Sequence, residues 1–572
     1  MRHVVASCLV LLIAVPALRA QAHFADAAGR HAIYIADQEV VGTYEIWSTD
    51  LQTGENVRLN STLPTGGTVN GFPVPETARH RYVVFGAEGD TDGVSELYRT
   101  DLKTGEERKL NDALVSGGDV QNTLMDPKGR YVVYFADAET DEVIEAYRSD
   151  VKTGEVVKLN GALAPGGEVL MPGSFDPKSR SFVYMANQDV SGALGLFRAD
   201  LKTGENLDLS GALVAGGNVN NFALDPRGRY AVFLADREED QVFELYRTDL
   251  KTGEILRLND DLAPGGDVDF GQPKIDPRGR FVVYVADQEV DGRHELYVSD
   301  LKTAATHKLS GEMAPGSAGV NGEAFLDSKG RYAVYRAEED TVGVFELYVS
   351  EVKTGESRKL SGEMVSGGDV ATWRIDPKGR YAIYTADQHV DEDIEIFSSD
   401  LKTGEVVDLC GSMVAGGDVM AFIQGIDPKG KFVVFTADKS VDESTELFRA
   451  DLKTGERIVL NEPMVTGGAV GFFLLDPKAR FAAYTGDLET DGQSELFSVE
   501  IAGGDSLELN KPLPVGGFAG SMLDFDAKGR FLLWWGDQDA NDEFELFRSE
   551  LLDGDQVQVN GELVAGGGVM ND

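Results

Sequence analysis

The sequence predicts an all-β fold: a β-propeller of eleven four-stranded antiparallel blades closed into one ring, with two smaller propellers as the alternative. Three observations carry this. A phrase recurs at fixed spacing, each copy divides into four short strand-like segments, and the two chain ends fall at complementary points of the repeat. The phrase is Asp126-Pro127-Lys128-Gly129-Arg130-Tyr131, which returns as Asp225-Pro226-Arg227-Gly228-Arg229-Tyr230 and as Asp276-Pro277-Arg278-Gly279-Arg280-Phe281. Its basic residue marks the copies at Arg30, Arg81, Arg130, Arg180, Arg229, Arg280, Arg331, Arg380, Lys431, Arg480 and Arg530, spaced by 49 to 51 residues. A chain of 572 residues ordinarily splits into domains, but a repeat array lengthens by adding units.

Within one copy the elements follow from local chemistry. Gly117-Gly118-Asp119-Val120 leads into strand a, which ends at Asp126. Asp-Pro-Lys-Gly is a turn, because Pro presets φ and Gly accepts a positive φ. Tyr131 to Ala136 is strand b, a run of β-branched and aromatic residues apolar on both faces, so its sheet must be covered on both sides. Glu145 to Asp150 is strand c, Lys152-Thr153-Gly154-Glu155 is a second turn, and Val156 to Leu159 is a shorter strand d that admits charge at Lys158. That gradient suits a blade with b central and d at the solvent rim. His23-Phe24-Ala25-Asp26 reads as the end of a strand a, and Gly566-Gly567-Gly568-Val569-Met570 as the start of one, so the two ends complete a single inner strand. Eleven blades exceed the usual four to eight. Sheets about 10 Å apart then enclose an opening on the order of 20 Å across.

Residues 1–22 have the pattern of an export signal: Arg2 and His3, an apolar run from Val4 to Leu18, then Ala20 and Ala22. The expected mature unit is 23–572, secreted or periplasmic. Cys8 leaves with the signal and only Cys410 remains, so no intrachain disulfide can form and packing must hold the fold. Removing Arg2 and Arg19 leaves 51 basic against 97 acidic side chains, a net charge of about −46. Such a surface disfavours nucleic acid and anionic lipid, and no later segment reads as a membrane span.

Asp-Pro-Lys-Gly-Arg-Tyr, the Ala-Asp that ends strand b, Glu-Leu-Tyr opening strand c, and Asp-Leu-Lys-Thr-Gly-Glu before strand d resemble the repeats of TolB-like β-propellers, also called WD40-like or PD40 repeats. The resemblance spans residues 24 to 572. It implies a propeller of the kind that serves as a protein-binding platform or as an accessory domain of peptidases.

The loop between strands b and c carries the most charge. Acids recur at every fourth position, as in Asp137, Asp141 and Glu145 or Asp287, Asp291 and Glu295. Converging carboxylates suit calcium. The alternative is that Asp caps the loop and Glu faces a basic neighbour such as the strand-b Arg. No other cofactor is expected. Repeat four departs, with Asn187, Ser191 and Gly195 in the three places. No Gly-x-Ser-x-Gly elbow and no clustered histidines of metal-ligand spacing occur. The copies differ chiefly in strand a, so Asn220, Asn221, Asp269 and Trp373 are the candidate contacts, with Lys274, Glu323 and Arg374 as further inward polar groups unique to their copies. Near-identical repeats present the same groups around a ring, whereas catalysis needs an asymmetric set. The leading expectation is therefore a non-catalytic propeller that binds a protein, peptide or glycan through its acidic loop face or channel. The alternatives are a propeller-type hydrolase or lyase acting on polysaccharide or peptide, and a self-assembling surface protein.

Overall fold

The computed structural model describes residues 23–25, 30–71, 81–188, 192–271, 273–540 and 543–570. The expected export segment 1–22 lies outside them. The strands form eleven four-stranded antiparallel sheets, each in the order a–b–c–d. Blades are numbered 1 to 11 along the chain. In blade 3 the strands are Val120–Met125, Tyr131–Ala136, Glu145–Asp150 and Val156–Lys158. Strand b pairs with c along its whole length, from Tyr131↔Asp150 to Ala136↔Glu145. Strand d pairs only with c.

The recurring phrase builds the a–b turn. The Asp126 carboxylate accepts the backbone N–H groups of Arg130 at 2.6 Å and Tyr131 at 2.5 Å. Gly129 sits at φ 65°, which favours glycine. In the c–d turn Asp150 Oδ1 accepts the N–H of Thr153 at 3.0 Å, and its carbonyl accepts that of Gly154 at 2.7 Å.

The two apolar faces of strand b explain the stacking. Val132 and Tyr134 join a cluster with Val84 and Leu97 of blade 2, while Val133 and Phe135 join one with Phe182 and Tyr184 of blade 4. Period-two alternation thus points every second residue at the opposite neighbour. Eleven such clusters occur among the described residues, each spanning two consecutive blades. An open row of eleven blades would have ten. The additional one joins Leu533 and Leu546 of blade 11 to Tyr34 and Trp47 of blade 1.

Backbone bonds complete this closure. Val569 forms an antiparallel bridge to Ala36, and the Met570 N–H donates to the Ile35 carbonyl at 2.9 Å. His23–Ala25 pairs with the other half of the same strand b, so the chain ends share one inner strand as the repeat phase predicts. The result is one ring, not two smaller propellers. Buried side chains add bonds between blades: Arg148, 1% exposed, donates from Nε to the Leu201 carbonyl at 2.6 Å.

Cys410 is fully buried between blades 8 and 9, and burial pushes its thiol up to about 12. The thiolate is the reactive form. Thiol reagents at pH 8 are therefore expected to leave Cys410 of the native protein unmodified and to label it in denaturant; rapid labelling of Cys410 in native protein would contradict this packing.

Candidate functional site

The acidic b–c loops are tied into the scaffold. Asp137 accepts the N–H of Asp119 at 2.6 Å and that of Glu142 at 3.1 Å. Asp141 stands against Gly117, where an added Cβ would meet the carboxylate. Glu145 is buried and takes the Tyr147 hydroxyl at 2.8 Å and the Lys158 ammonium at 2.5 Å. In blade 6, Asp287 accepts the Gly292 N–H at 2.8 Å, Asp291 stands against Gly265, and Glu295 takes the Tyr297 hydroxyl at 2.9 Å and Lys308 at 3.1 Å. The basic partner of the Glu comes from strand d, which is a correction: the strand-b Arg130 instead holds Asp150 at 3.1 Å. Among the described residues no three His, Cys, Asp or Glu side chains are grouped to hold a metal. Chelator and millimolar calcium are expected to shift the unfolding temperature by less than about 2 °C. A large stabilisation with several ions bound per chain would show that the loops hold calcium.

In repeat four the Glu position is Gly195 and the strand-d base is Asp208, which caps Ser210 and Gly211 at 2.9 Å each. Both halves of the scaffold ion pair are thus absent together. Ser191 lies outside the described residues.

Strand a varies from blade to blade: it is three residues long in blades 2 and 9, Val69–Gly71 and Val419–Ala421, and shortest in blades 6 and 7. Blade 5 has a full strand, Val219–Leu224, as does blade 8, Val370–Ile375. In blades 6 and 7 it shrinks to Lys274–Ile275 and Phe325–Leu326, with single bridges upstream at Val268↔Ala286 and Val320↔Ala337. Between bridge and stub the chain leaves the ladder. The local causes are Pro273, which has no N–H to give, and a glycine-rich approach in blade 7. There Gly319 stands at φ 92° so close to the His294 carbonyl that no Cβ fits.

These departures bring together side chains from different copies. Lys274 Nζ lies 3.0 Å from Glu323 Oε2. Glu323 Oε1 is buried with no hydrogen-bond partner among the described residues. Arg374 stacks on the Phe325 ring, 4.8 Å from its centroid, and donates to the Trp373 carbonyl at 2.7 Å. Arg336 donates to the Val370 carbonyl at 2.7 Å and to Asn321 Oδ1 at 2.5 Å, and lies 5.5 Å from the Trp373 ring centroid. Burial lowers both guanidinium pKa values, opposed by the charge of Asp369 at Arg336 and of Glu323 at Arg374.

Asp269 Oδ2 is 4.0 Å from His294 Nδ1, a buried atom with no hydrogen-bond partner among the described residues. Asn221 Nδ2 donates to the Phe270 carbonyl at 2.9 Å and so ties blade 5 to the blade 6 excursion. Asn220 is exposed on strand a of blade 5 without a bond to this cluster. Trp373 is 7% exposed and packed edge-on against Phe325, its indole N–H without a partner among the described residues, so it supports the site from beneath. Behind the group a cavity of about 140 Å³ has walls from Leu234, Val268, Val283 and Leu296, with Asp269, Lys274 and Glu323 also lining it.

Sequence reasoning singled out Asp269, Lys274, Glu323, Trp373 and Arg374 but missed His294, Asn321 and Arg336. Arg336 had a usable signal. Its strand-b position is Ile35, Gly86, Phe135, Met185, Leu234, Val285, Thr385, Thr436, Thr485 or Trp535 in the other copies, so it is the one charge there.

Fold and repeat together make the chain an eleven-bladed β-propeller whose repeat phrases resemble those of TolB-like, PD40 propellers. No protein-family profile matches the sequence, and no curated protein matches it. Solved structures do. The tricorn protease aligns over 93% of this chain and 49% of its own, at 16% identity and TM-score 0.29. Dipeptidyl peptidase 4 of Porphyromonas gingivalis aligns over 81% and 64%, at 11% identity and TM-score 0.39. TolB of Acinetobacter baumannii aligns over 57% and 79%, at 13% identity and TM-score 0.25. The chain thus spans about half of the tricorn protease and under two thirds of that peptidase. At these identities the likeness is one of fold.

The expectation of a non-catalytic binding propeller is corrected. Solved structures aligned with the chain also include a prolyl endopeptidase, a puromycin hydrolase and an oligogalacturonate lyase, beside the two peptidases above. Within this chain the premise of that expectation also fails, because blades 5 to 8 do not repeat the groups of their neighbours.

Proposed function

We propose that the protein is a propeller-type hydrolase or lyase acting on a peptide or polysaccharide held against blades 5 to 8, with Glu323 as the proton-transferring carboxylate. One observation supports this above the others: Glu323 has Oε2 anchored 3.0 Å from Lys274 Nζ, while Oε1 is buried, unpartnered and beside a cavity. A buried polar atom without a partner is costly, and in native structures such atoms gather where a ligand supplies the missing bond.

In this reading the Lys274 ammonium, 3.0 Å from Oε2, orients Glu323. Oε1 then takes a proton from the attacking water in a hydrolysis, or from a carbon beside a carbonyl in an elimination. The Asp269–His294 pair returns a proton to the leaving group, and Arg374 and Arg336 lend positive charge where an oxyanion develops. The pattern of residues 1–22 supports export to the periplasm or beyond. No helix among the described residues is long and apolar enough to cross a membrane.

The test is to incubate purified protein with pooled peptides and pooled polysaccharides and to weigh the products. Fragments that together gain one water indicate hydrolysis, and an unsaturated product without that gain indicates elimination. Intact pools after prolonged incubation would overturn the reading.

A further inference from the structure

We propose that the cavity behind Lys274 and Glu323 receives an aliphatic side chain, so that the substrate is a peptide bearing a valine- or leucine-sized residue beside the reacting bond. This rests on the hydrolase-or-lyase reading of the same sector and narrows it.

The first argument is the chemistry of the walls. Val268, Val283, Leu234 and Leu296 are each at most 1% exposed and offer no hydrogen bond from their side chains. Tyr284 also lines the cavity, but its hydroxyl is committed to Gln288 Oε1 at 3.0 Å. The charged groups of the lining are concentrated in Asp269, Lys274 and Glu323, and the last two already hold each other at 3.0 Å. A sugar ring carries hydroxyls around its rim, and an apolar recess leaves them without partners. A hydrocarbon side chain loses nothing there.

The second argument is size. The cavity measures about 140 Å³, just under the about 150 Å³ of an aliphatic cavity that holds one benzene molecule, so a benzyl group, one carbon larger, does not fit. That excludes an indole and leaves a glycine or alanine substrate with most of the space unfilled.

The third is position. The same segment whose departure from strand a opens the cavity also carries Asp269 and Lys274, and Glu323 belongs to the matching departure in blade 7. A side chain seated in the recess therefore sets its own backbone across the Glu323 carboxylate. Phe270, 52% exposed and 4.7 Å from Phe243 ring to ring, adds an apolar surface on the same excursion.

The test uses the full-length mature protein and acetyl-Gly-Xaa-Gly amides with Xaa as Gly, Ala, Val, Leu, Phe or Trp, with maltotriose as the sugar probe, titrated by calorimetry or nuclear magnetic resonance. Valine or leucine peptides are expected to bind at least about tenfold more tightly than the glycine peptide, following the usual worth of buried methylenes. Ala324→Leu, which fills the recess, is expected to abolish that preference. Val283→Ala, which enlarges it, is expected to move the optimum towards phenylalanine, and this second variant keeps the test open if the first fails to fold. Equal binding of glycine and leucine peptides, or tighter binding of maltotriose that Ala324→Leu weakens, would overturn the proposal. Selective binding without turnover would leave this inference standing and remove the catalytic reading; turnover without side-chain selectivity would do the reverse.

Discussion

A chain shortened to end at Gly561 is expected to unfold on the order of 5–10 °C below the intact protein and to show broken rings by electron microscopy. The truncation removes Val569, 3% exposed between blades 1 and 11, together with the partly buried Met570. It also removes the bonds from Met570 to Ile35 at 2.9 Å and from the Gly568 N–H to Asp37 Oδ1 at 2.5 Å, and the acceptor of the Trp535 indole at 2.8 Å. Burial of two such side chains and about three backbone bonds amounts to about 5 kcal/mol. The effect exceeds that sum in kind, because the lost strand covers the single seam of the ring and leaves the upper half of a strand b unpaired. An unchanged unfolding temperature with intact rings would mean that side-chain packing at the seam, such as Leu533 and Leu546 on Tyr34 and Trp47, closes the ring without the strand.

Much of this architecture is legible in the sequence because each device is local and repeated. The Asp-Pro-x-Gly turn, the doubly apolar strand b and the phase of the two ends need no tertiary information, and the structure uses each as read. The site was only half legible. Its members are far apart in the chain, and their relation becomes visible once blades are stacked: Lys274, Phe325 and Arg374 hold equivalent places, opposite Val283, Val334 and Ile383 of consecutive blades, and Glu323 lies two residues before Phe325. Residues separated by one period occupy equivalent places in adjacent blades, so unusual charges at that spacing are neighbours across the ring. Asn221 and Phe270 follow the same rule. The excursions that expose Glu323 were not legible, because they depend on how Gly319 packs under His294. The partner of the loop glutamates was misassigned for a related reason: the c–d register, Tyr147↔Lys158, delivers the strand-d lysine to Glu145, while Arg130 is drawn outward to Asp150.

The second large effect is expected from Glu323→Gln. The substitution keeps the shape of the side chain and a hydrogen-bonding oxygen for Lys274, so the fold loses at most a partly exposed ion pair, about 1 kcal/mol or less. The amide cannot accept and release a proton as a carboxylate does. Turnover should therefore fall by about 10²- to 10⁴-fold with little change in unfolding temperature. Lys274→Met is expected to act through Glu323, lowering turnover with little change in unfolding temperature, because the carboxylate loses the ammonium that holds its Oε2 at 3.0 Å.

The comparison that bears most directly on the account sets Glu323→Gln against Glu295→Gln, measured as kcat/KM on one turned-over substrate. Glu295 is the equivalent of the scaffold glutamates in other blades, held by Tyr297 and Lys308, and lies outside the proposed chemistry. The account predicts that Glu323→Gln loses at least about a hundredfold while Glu295→Gln stays within about threefold of the parent. Equal losses in the two variants, or full activity in Glu323→Gln, would contradict it.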